Sequence, residues 1–280
     1  MERLKQALER ARAEREEIRS PEIGLVRSPR EAGVDAPGQA AASASQDIVY
    51  QRTRTATIDL ARLRSRRVIT SLAQEPAEAA YRVLRTVVLQ RMRANGSKTL
   101  GVTAARQGNG KTLTAINLAI SLAREKNQTV LLADFDLAHP SIAGYLFDES
   151  VPGISDYLHG RKTLPEILVN PGIERLVVLP GNEALVDSSE RLTSPELTSL
   201  VVELKSRYPD RMIVFDLPPV LAGDEVMAFA PSLDSLLLVV EDGVTTKEDL
   251  RRAQETLDTS RIIGTVLNKA RDVDIGYPYP

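Results

Sequence analysis

Six short apolar runs punctuate the chain beyond residue 98: Thr99–Thr103, Val130–Asp134, Leu176–Leu179, Met212–Asp216, Leu236–Val240 and Ile262–Leu267. They are rich in Val, Ile and Leu and do not alternate with polar residues, which is the pattern of strands buried on both faces. Stretches of helical periodicity accompany them: Ala77–Arg93, Thr112–Arg124, Pro195–Arg207 and Lys247–Leu257. In the first of these, Tyr81, Leu84, Val88 and Met92 recur on one face. Strands and helices in alternation predict an α/β fold, a mostly parallel sheet sandwiched by helices. No internal repeat is present.

Upstream the pattern changes. Residues 1–20 are rich in Glu, Arg and Ala, with Leu4, Leu8, Ala11 and Ile18 on a thin apolar stripe. They predict a charged helix, either solvated or docked on a partner. Residues 21–48 turn to Pro, Gly, Ala and Ser without apolar period and read as a flexible linker. A basic arm follows over 49–75, where Arg52, Arg54, Arg62, Arg64, Arg66 and Arg67 face a single Asp59 between Val49 and Ile69. Such an arm either meets anionic headgroups or an acidic partner, or is an ordinary exposed segment. The main domain is expected over 76–270, with a tail at 271–280.

Composition narrows the classes. The balance of 36 basic and 38 acidic residues leaves a net charge of −2, so bulk charge does not hold the chain to nucleic acid and no nucleic-acid partner is expected. Aromatics are only 4%, which leaves the core to aliphatic side chains. The absence of Cys excludes disulfides and thiolate chemistry, and His139 and His159 are too few for a multi-histidine metal centre. With no secretory h-region and no apolar run of about 18 residues, a cytoplasmic chain that does not itself span a membrane is expected.

The candidate chemistry lies at strand ends. After the first run comes Ala105-Arg-Gln-Gly-Asn-Gly-Lys-Thr112, a phosphate-binding loop with Ala in place of its first Gly. Gly108 and Gly110 let backbone amides turn toward phosphate oxygens, with Asn109 between them as a further cofactor-binding candidate, and the helix beginning there adds its positive end. Lys111 reaches the β- and γ-phosphates, and the Thr112 hydroxyl is a Mg²⁺ ligand. Asp134 and Asp136 follow the second run and Asp216 closes the fourth, at the strand ends where ligands gather. Asp134 and Asp216 suit Mg²⁺ held through water, and Asp136 suits a proton acceptor. The last run ends in Asn268-Lys-Ala-Arg271. Arg271 stands where a guanine-reading motif needs Asp, so adenine is the expected base, with Asn268 either contacting it or capping the strand.

The phosphate loop, Leu131-Leu-Ala-Asp-Phe-Asp136 and Phe215-Asp-Leu-Pro-Pro219 together resemble the three nucleotide motifs of the bacterial tyrosine kinases. These are P-loop ATPases of capsule and exopolysaccharide export, related to partition and septum-placement ATPases. The similarity runs from about Tyr50 to Ala270. Arg52-Thr-Arg54, Tyr81-Arg-Val-Leu-Arg-Thr86, Asn117-Leu-Ala119 and Ser155-Asp-Tyr-Leu158 look most like the subgroup encoded beside exosortase-linked loci. The resemblance implies ATP and Mg²⁺ as cofactors and phosphorylation of tail tyrosines between neighbouring subunits of a homo-oligomer. It also implies activation by a membrane-embedded polysaccharide chain-length regulator, with the chain only peripheral to the inner face of the plasma membrane. It makes Lys111 the phosphate lysine, Thr112 the direct metal ligand, Asp134 and Asp216 the outer metal acids, and Asp136 the base.

Three departures from the family pattern stand out. Ala138 replaces an Arg after the second motif. The ring-forming Glu-Arg-Arg triplet keeps Arg82 and Arg85 but has Ala79 at the Glu position, beside Glu78. The tail carries only Tyr277 and Tyr279, between prolines that favour an extended chain, so these are either phosphoacceptors or incidental. The departures leave open a switch ATPase of the same class that does not phosphorylate protein. The basic arm leaves open a partition-type positioning ATPase, in which Arg106 would occupy the place of a lysine that crosses a dimer.

Overall fold

The computed structural model describes residues 54–56, 58–69, 76–207 and 211–270, all within the compact unit Ile48–Pro280. The helix and linker expected over 1–48 and the tail with Tyr277 and Tyr279 lie outside these residues. The described chain contains strands β1 (Arg54–Thr55), β2 (Thr99–Ala104), β3 (Thr129–Asp134), β4 (Val169–Asn170), β5 (Leu176–Leu179), β6 (Arg211–Asp216), β7 (Ser235–Glu241) and β8 (Ile262–Asn268). Its helices are α1 (Leu60–Ser65), α2 (Pro76–Ala94), α3 (Lys111–Ala123), α4 (Ile142–Leu146), α5 (Ile154–Leu158), α6 (Leu164–Ile167), α7 (Ser188–Leu192), α8 (Pro195–Arg207), α9 (Glu225–Phe229) and α10 (Lys247–Thr256). One sheet is formed in the order β1-β4-β5-β3-β6-β2-β7-β8, parallel at every pairing except β4–β5.

The unbroken apolar runs are explained by what lies on each side of the sheet. Along β3, Val130 and Leu132 enter one core while Leu131 and Ala133 enter the other; Leu237 and Val239 of β7 divide from Leu236 and Leu238 in the same way. The first core is closed by α2, α3 and α4, the second by α5 to α10. Every residue of α3 except Leu113 is buried, so this helix is enclosed nearly all round. On α2, Val88 and Met92 are buried and Tyr81 and Leu84 pack partly against the same core. Among the described helices none is long and apolar enough to cross a membrane.

The start of the folded body differs from the boundary expected near Pro76. Ala56, Leu63, Val68 and Ile69 are buried in the first core, and β1 pairs with β4 at the sheet edge. Asn117 of α3 fastens this segment, accepting from the Ile69 N–H at 2.9 Å and donating to the Arg67 carbonyl at 3.1 Å. Four apolar residues scattered among arginines are enough to seat it. The arginines mask that pattern in the sequence.

Candidate nucleotide and metal site

The site is assembled at the carboxyl ends of β2, β3 and β6, which lie side by side in the sheet. β2 delivers the loop 105–112 into α3. Gly108 and Gly110 hold φ of 86° and 88°, in the left-handed region that favours glycine, and Gly110 caps α3. A Cβ at Gly110 would run into the Asn268 side-chain amide. β3 and β6 place Asp134 directly opposite Asp216 in register. Phe135 anchors the Asp-Phe-Asp segment from beneath, with its ring 4.7 Å from Phe215 and 4.9 Å from Phe229.

The predicted residues converge. The Lys111 ammonium lies 2.6 Å from Asp136 Oδ2 and 3.5 Å from Asp216 Oδ1. Thr112 Oγ1 donates to Asp216 Oδ2 at 2.6 Å. Asp134 Oδ2 accepts from the Ser141 and Ile142 N–H groups at 2.8 and 2.9 Å, while Ser141 Oγ sits 3.3 Å from Thr112 Oγ1. All three acids are buried. Burial, reinforced by the charge of Asp216, pushes the Asp134 carboxyl up to about 7. Burial likewise pushes Asp216 up to about 6 against the pull of Lys111 and the Thr112 hydroxyl. Burial also opposes the charge on Lys111, but the carboxylates of Asp216 and Asp136 outweigh it and hold the ammonium above its ordinary range.

Two buried oxygens, Asp134 Oδ1 and Asp216 Oδ1, have no hydrogen-bond partner. Buried acceptors are normally satisfied, so their presence beside a hydroxyl and an ammonium fits a cation and its waters. Among the described residues no three Asp, Glu or His side chains form a metal cage. Mg²⁺ keeps waters and takes few protein ligands alongside phosphate oxygens. The donor set and the glycine-lined loop therefore fit Mg²⁺ with a triphosphate.

The structure also shows supports that the motif does not reveal. Asn268 donates to the Asn109 carbonyl at 2.9 Å, and Lys269 donates to the Gly108 carbonyl and to Glu241, both at 2.9 Å. Asn109 in turn donates to Glu241 at 3.1 Å, so β7 and β8 grip the loop from its outer side. Arg106 is held within the chain: its Nε and one terminal nitrogen both donate to Asp249 Oδ1, at 3.0 and 2.8 Å. That contact draws the Asp249 carboxyl down to about 2. The Glu241–Lys269 pair is the sort of signal a sequence hides, because the partners are distant along the chain. Of the arginines expected at a subunit contact, Arg85 bonds to the Ser121 carbonyl and Glu125 of its own chain, whereas Arg82 is exposed.

Comparison with known proteins accords with this geometry. Residues 97–263 match the family model described as an AAA domain. Tyrosine-protein kinase YwqD of Bacillus subtilis (strain 168) is 30% identical over 190 residues, covering 67% of this chain and 79% of YwqD. The succinoglycan biosynthesis transport protein ExoP of Rhizobium meliloti (strain 1021) is 25% identical over 75% of this chain, which spans only 27% of ExoP. Among solved structures, the VpsO kinase domain is 29% identical, with a TM-score of 0.61 over 70% of this chain and 97% of that one. With a phosphate loop, paired strand-end acids and a sheet shared with these relatives, the chain belongs to the bacterial tyrosine-protein kinase family.

Proposed function

We propose that the chain is an ATP-dependent protein-tyrosine kinase that phosphorylates Tyr277 and Tyr279 of its own kind and regulates exopolysaccharide or capsule biosynthesis and export. The observation that carries this reading is the contact of Lys111 with Asp136 at 2.6 Å, beside the Thr112–Asp216 pair. A lysine and a candidate base share one buried point at the entrance to α3. A triphosphate arriving over the loop amides competes with Asp136 for the ammonium. Lys111 then turns to phosphate, and the freed Asp136 carboxylate accepts the proton of the tyrosine hydroxyl as its oxygen bonds to the γ-phosphorus. The bond from that phosphorus to the bridging oxygen breaks, and ADP leaves with the electron pair.

Thr112, with Asp134 and Asp216, would hold Mg²⁺. When bound, the ion spreads the negative charge of the phosphoryl oxygens. Asn268, already donating to the loop, supports its shape and stands as a candidate neighbour of adenine. Family membership supports a homo-oligomer, with Arg82 the better placed of the two arginines for a subunit contact. The relation to ExoP, a biosynthesis transport protein, supports a membrane-embedded polysaccharide chain-length regulator as partner, with this chain peripheral to the inner membrane face.

Intact-mass measurement after incubation with Mg·ATP tests the reading. Phosphoryl increments mapping to Tyr277 or Tyr279 are expected; none, even with the partner's cytoplasmic segment added, would overturn it. A switch ATPase is the second reading, favoured by Ala138, which supplies no cation beside Asp136, by Ala79 in place of the ring-forming Glu, and by the sparse tyrosines of the tail. Steady phosphate release without phosphotyrosine is its signature.

A further inference from the structure

The two limbs of the phosphate loop are tied to the body in different ways. On the outgoing side the Gly108 and Asn109 carbonyls accept from Lys269 and Asn268, each at 2.9 Å. A peptide unit is planar and trans, so a carbonyl fixed outward leaves the N–H of the same unit directed the opposite way. Those contacts aim the Asn109 and Gly110 amides into the loop. On the incoming side the Ala104 and Ala105 carbonyls accept from the Val220 and Leu221 N–H groups at 2.8 and 3.2 Å. Arg106 comes next, engaged by main chain and side chain together. Its N–H donates to Asn109 Oδ1 at 3.0 Å, and its guanidinium donates twice to Asp249 Oδ1.

Asp249 is a fixed post. It is 3% exposed and sits in the first turn of α10. Its Oδ2 accepts from the Thr246 N–H at 3.2 Å, and its own N–H donates to the Thr246 hydroxyl at 3.1 Å. One carboxylate thus serves the helix with one oxygen and the loop with the other. The Arg106 side chain is more than half exposed, but its partner is buried, which sets this pair apart from ion pairs lying wholly in solvent.

The structure assigns Arg106 as a positioning residue for the nucleotide: held by Asp249 of its own chain, it fixes the incoming limb so that the loop amides stand ready for the phosphates common to ADP and ATP. A loop with two glycines loses much freedom on ordering, and a limb ordered before the ligand arrives raises affinity. The proposal needs the nucleotide site but not the kinase reading. It also separates Arg106 from a cation that crosses to a neighbour's triphosphate. A crossing cation aimed at the transferred phosphate favours ATP over ADP and can be supplied by a second chain.

Calorimetric titration of the full chain with Mg·ADP and Mg·ATP is the test. Arg106→Ala is expected to weaken both nucleotides by the same factor, roughly three- to tenfold. In an Asp249→Ala background the same change should alter neither affinity by more than about twofold, because the contact is already gone. Arg106→Lys keeps a donor for Asp249 and should return both affinities to within about twofold of native, a rescue that general loss of structure does not produce. Phosphate release at saturating ATP should stay within about twofold of native, since the loss is one of binding. Arg251→Gln, on the exposed face of α10, is the control and should bind as the native chain does. Unchanged affinity in Arg106→Ala, a loss confined to ATP, or the same loss with Asp249 already removed would overturn the proposal. Recovery of native turnover on mixing Arg106→Ala with Lys111→Ala chains would also overturn it, by showing that a second chain supplies the cation. A native chain that binds neither nucleotide removes the site reading itself, and this proposal with it.

Discussion

At the scale of single residues, the site is a set of charges that folding alone disfavours. Asp134 is fully buried with one oxygen unpartnered. Because its carboxyl is raised to about 7 from an ordinary 3.8, the folded state binds its proton more tightly than the unfolded chain. The resulting penalty is absent below about pH 4 and fully developed above about pH 7. Asp134→Asn keeps an acceptor for Ser141 and Ile142 while removing the charge. It is expected to raise the thermal midpoint by a few degrees at pH 8 without Mg·ATP, to lose that advantage near pH 4, and to lower phosphotransfer at least about a hundredfold; differential scanning calorimetry and phosphotyrosine yield check both. Lys111→Ala removes the ammonium that faces Asp136 and Asp216 rather than any core side chain. Phosphotransfer should fall by at least about a hundredfold while cooperative unfolding persists, measured by mass increment and circular dichroism; wild-type turnover would refute the assignment.

Elements decide how firmly the loop is held. β7 and β8 grip it through Glu241, Asn268 and Lys269, and α10 holds Arg106 through Asp249. If Asn268 acts by supporting the loop, Asn268→Ala should weaken ATP and GTP binding by the same factor, roughly three- to tenfold. A change confined to ATP would mean that it reads the base; calorimetric titration with both nucleotides separates these. Asp249 offers the opposite pH sign to Asp134. Its carboxyl is held at about 2 in the fold against 3.8 ordinarily, so its stabilisation is present above about pH 4 and lost as pH falls toward 2. The gap in urea midpoint between native chain and Asp249→Asn should therefore narrow from pH 5 to pH 3. The six apolar runs were legible because a strand covered on both sides must be continuously apolar. The two-residue strands β1 and β4 were not, since two residues carry no period. Neither was the outer grip on the loop, because Glu241, Asn268 and Asn109 meet only once the sheet has closed.

For the whole molecule, the body begins before Pro76. Leu63 is 1% exposed and shares a core with α3, so Leu63→Ala should cost about 2–5 kcal/mol, measured by chemical denaturation. A change near zero would show that the segment merely lies on the surface. Nucleotide chemistry was readable from the linear order because its motif packs loop, lysine and hydroxyl into eight consecutive positions. The seating of residues 54–69 was obscured by arginines, whose charges dominate a local reading although the intervening leucine, valine and isoleucine decide where the backbone rests. The Asn117 contacts have a mechanical corollary. Asn117 lies five residues beyond Thr112 on one rigid rod, a rise of about 7.5 Å. A push at the start of that rod by an incoming phosphate is delivered to the backbone at Arg67 and Ile69, so the turn after α1 is tethered to the phosphate-binding helix rather than to the periphery of the sheet.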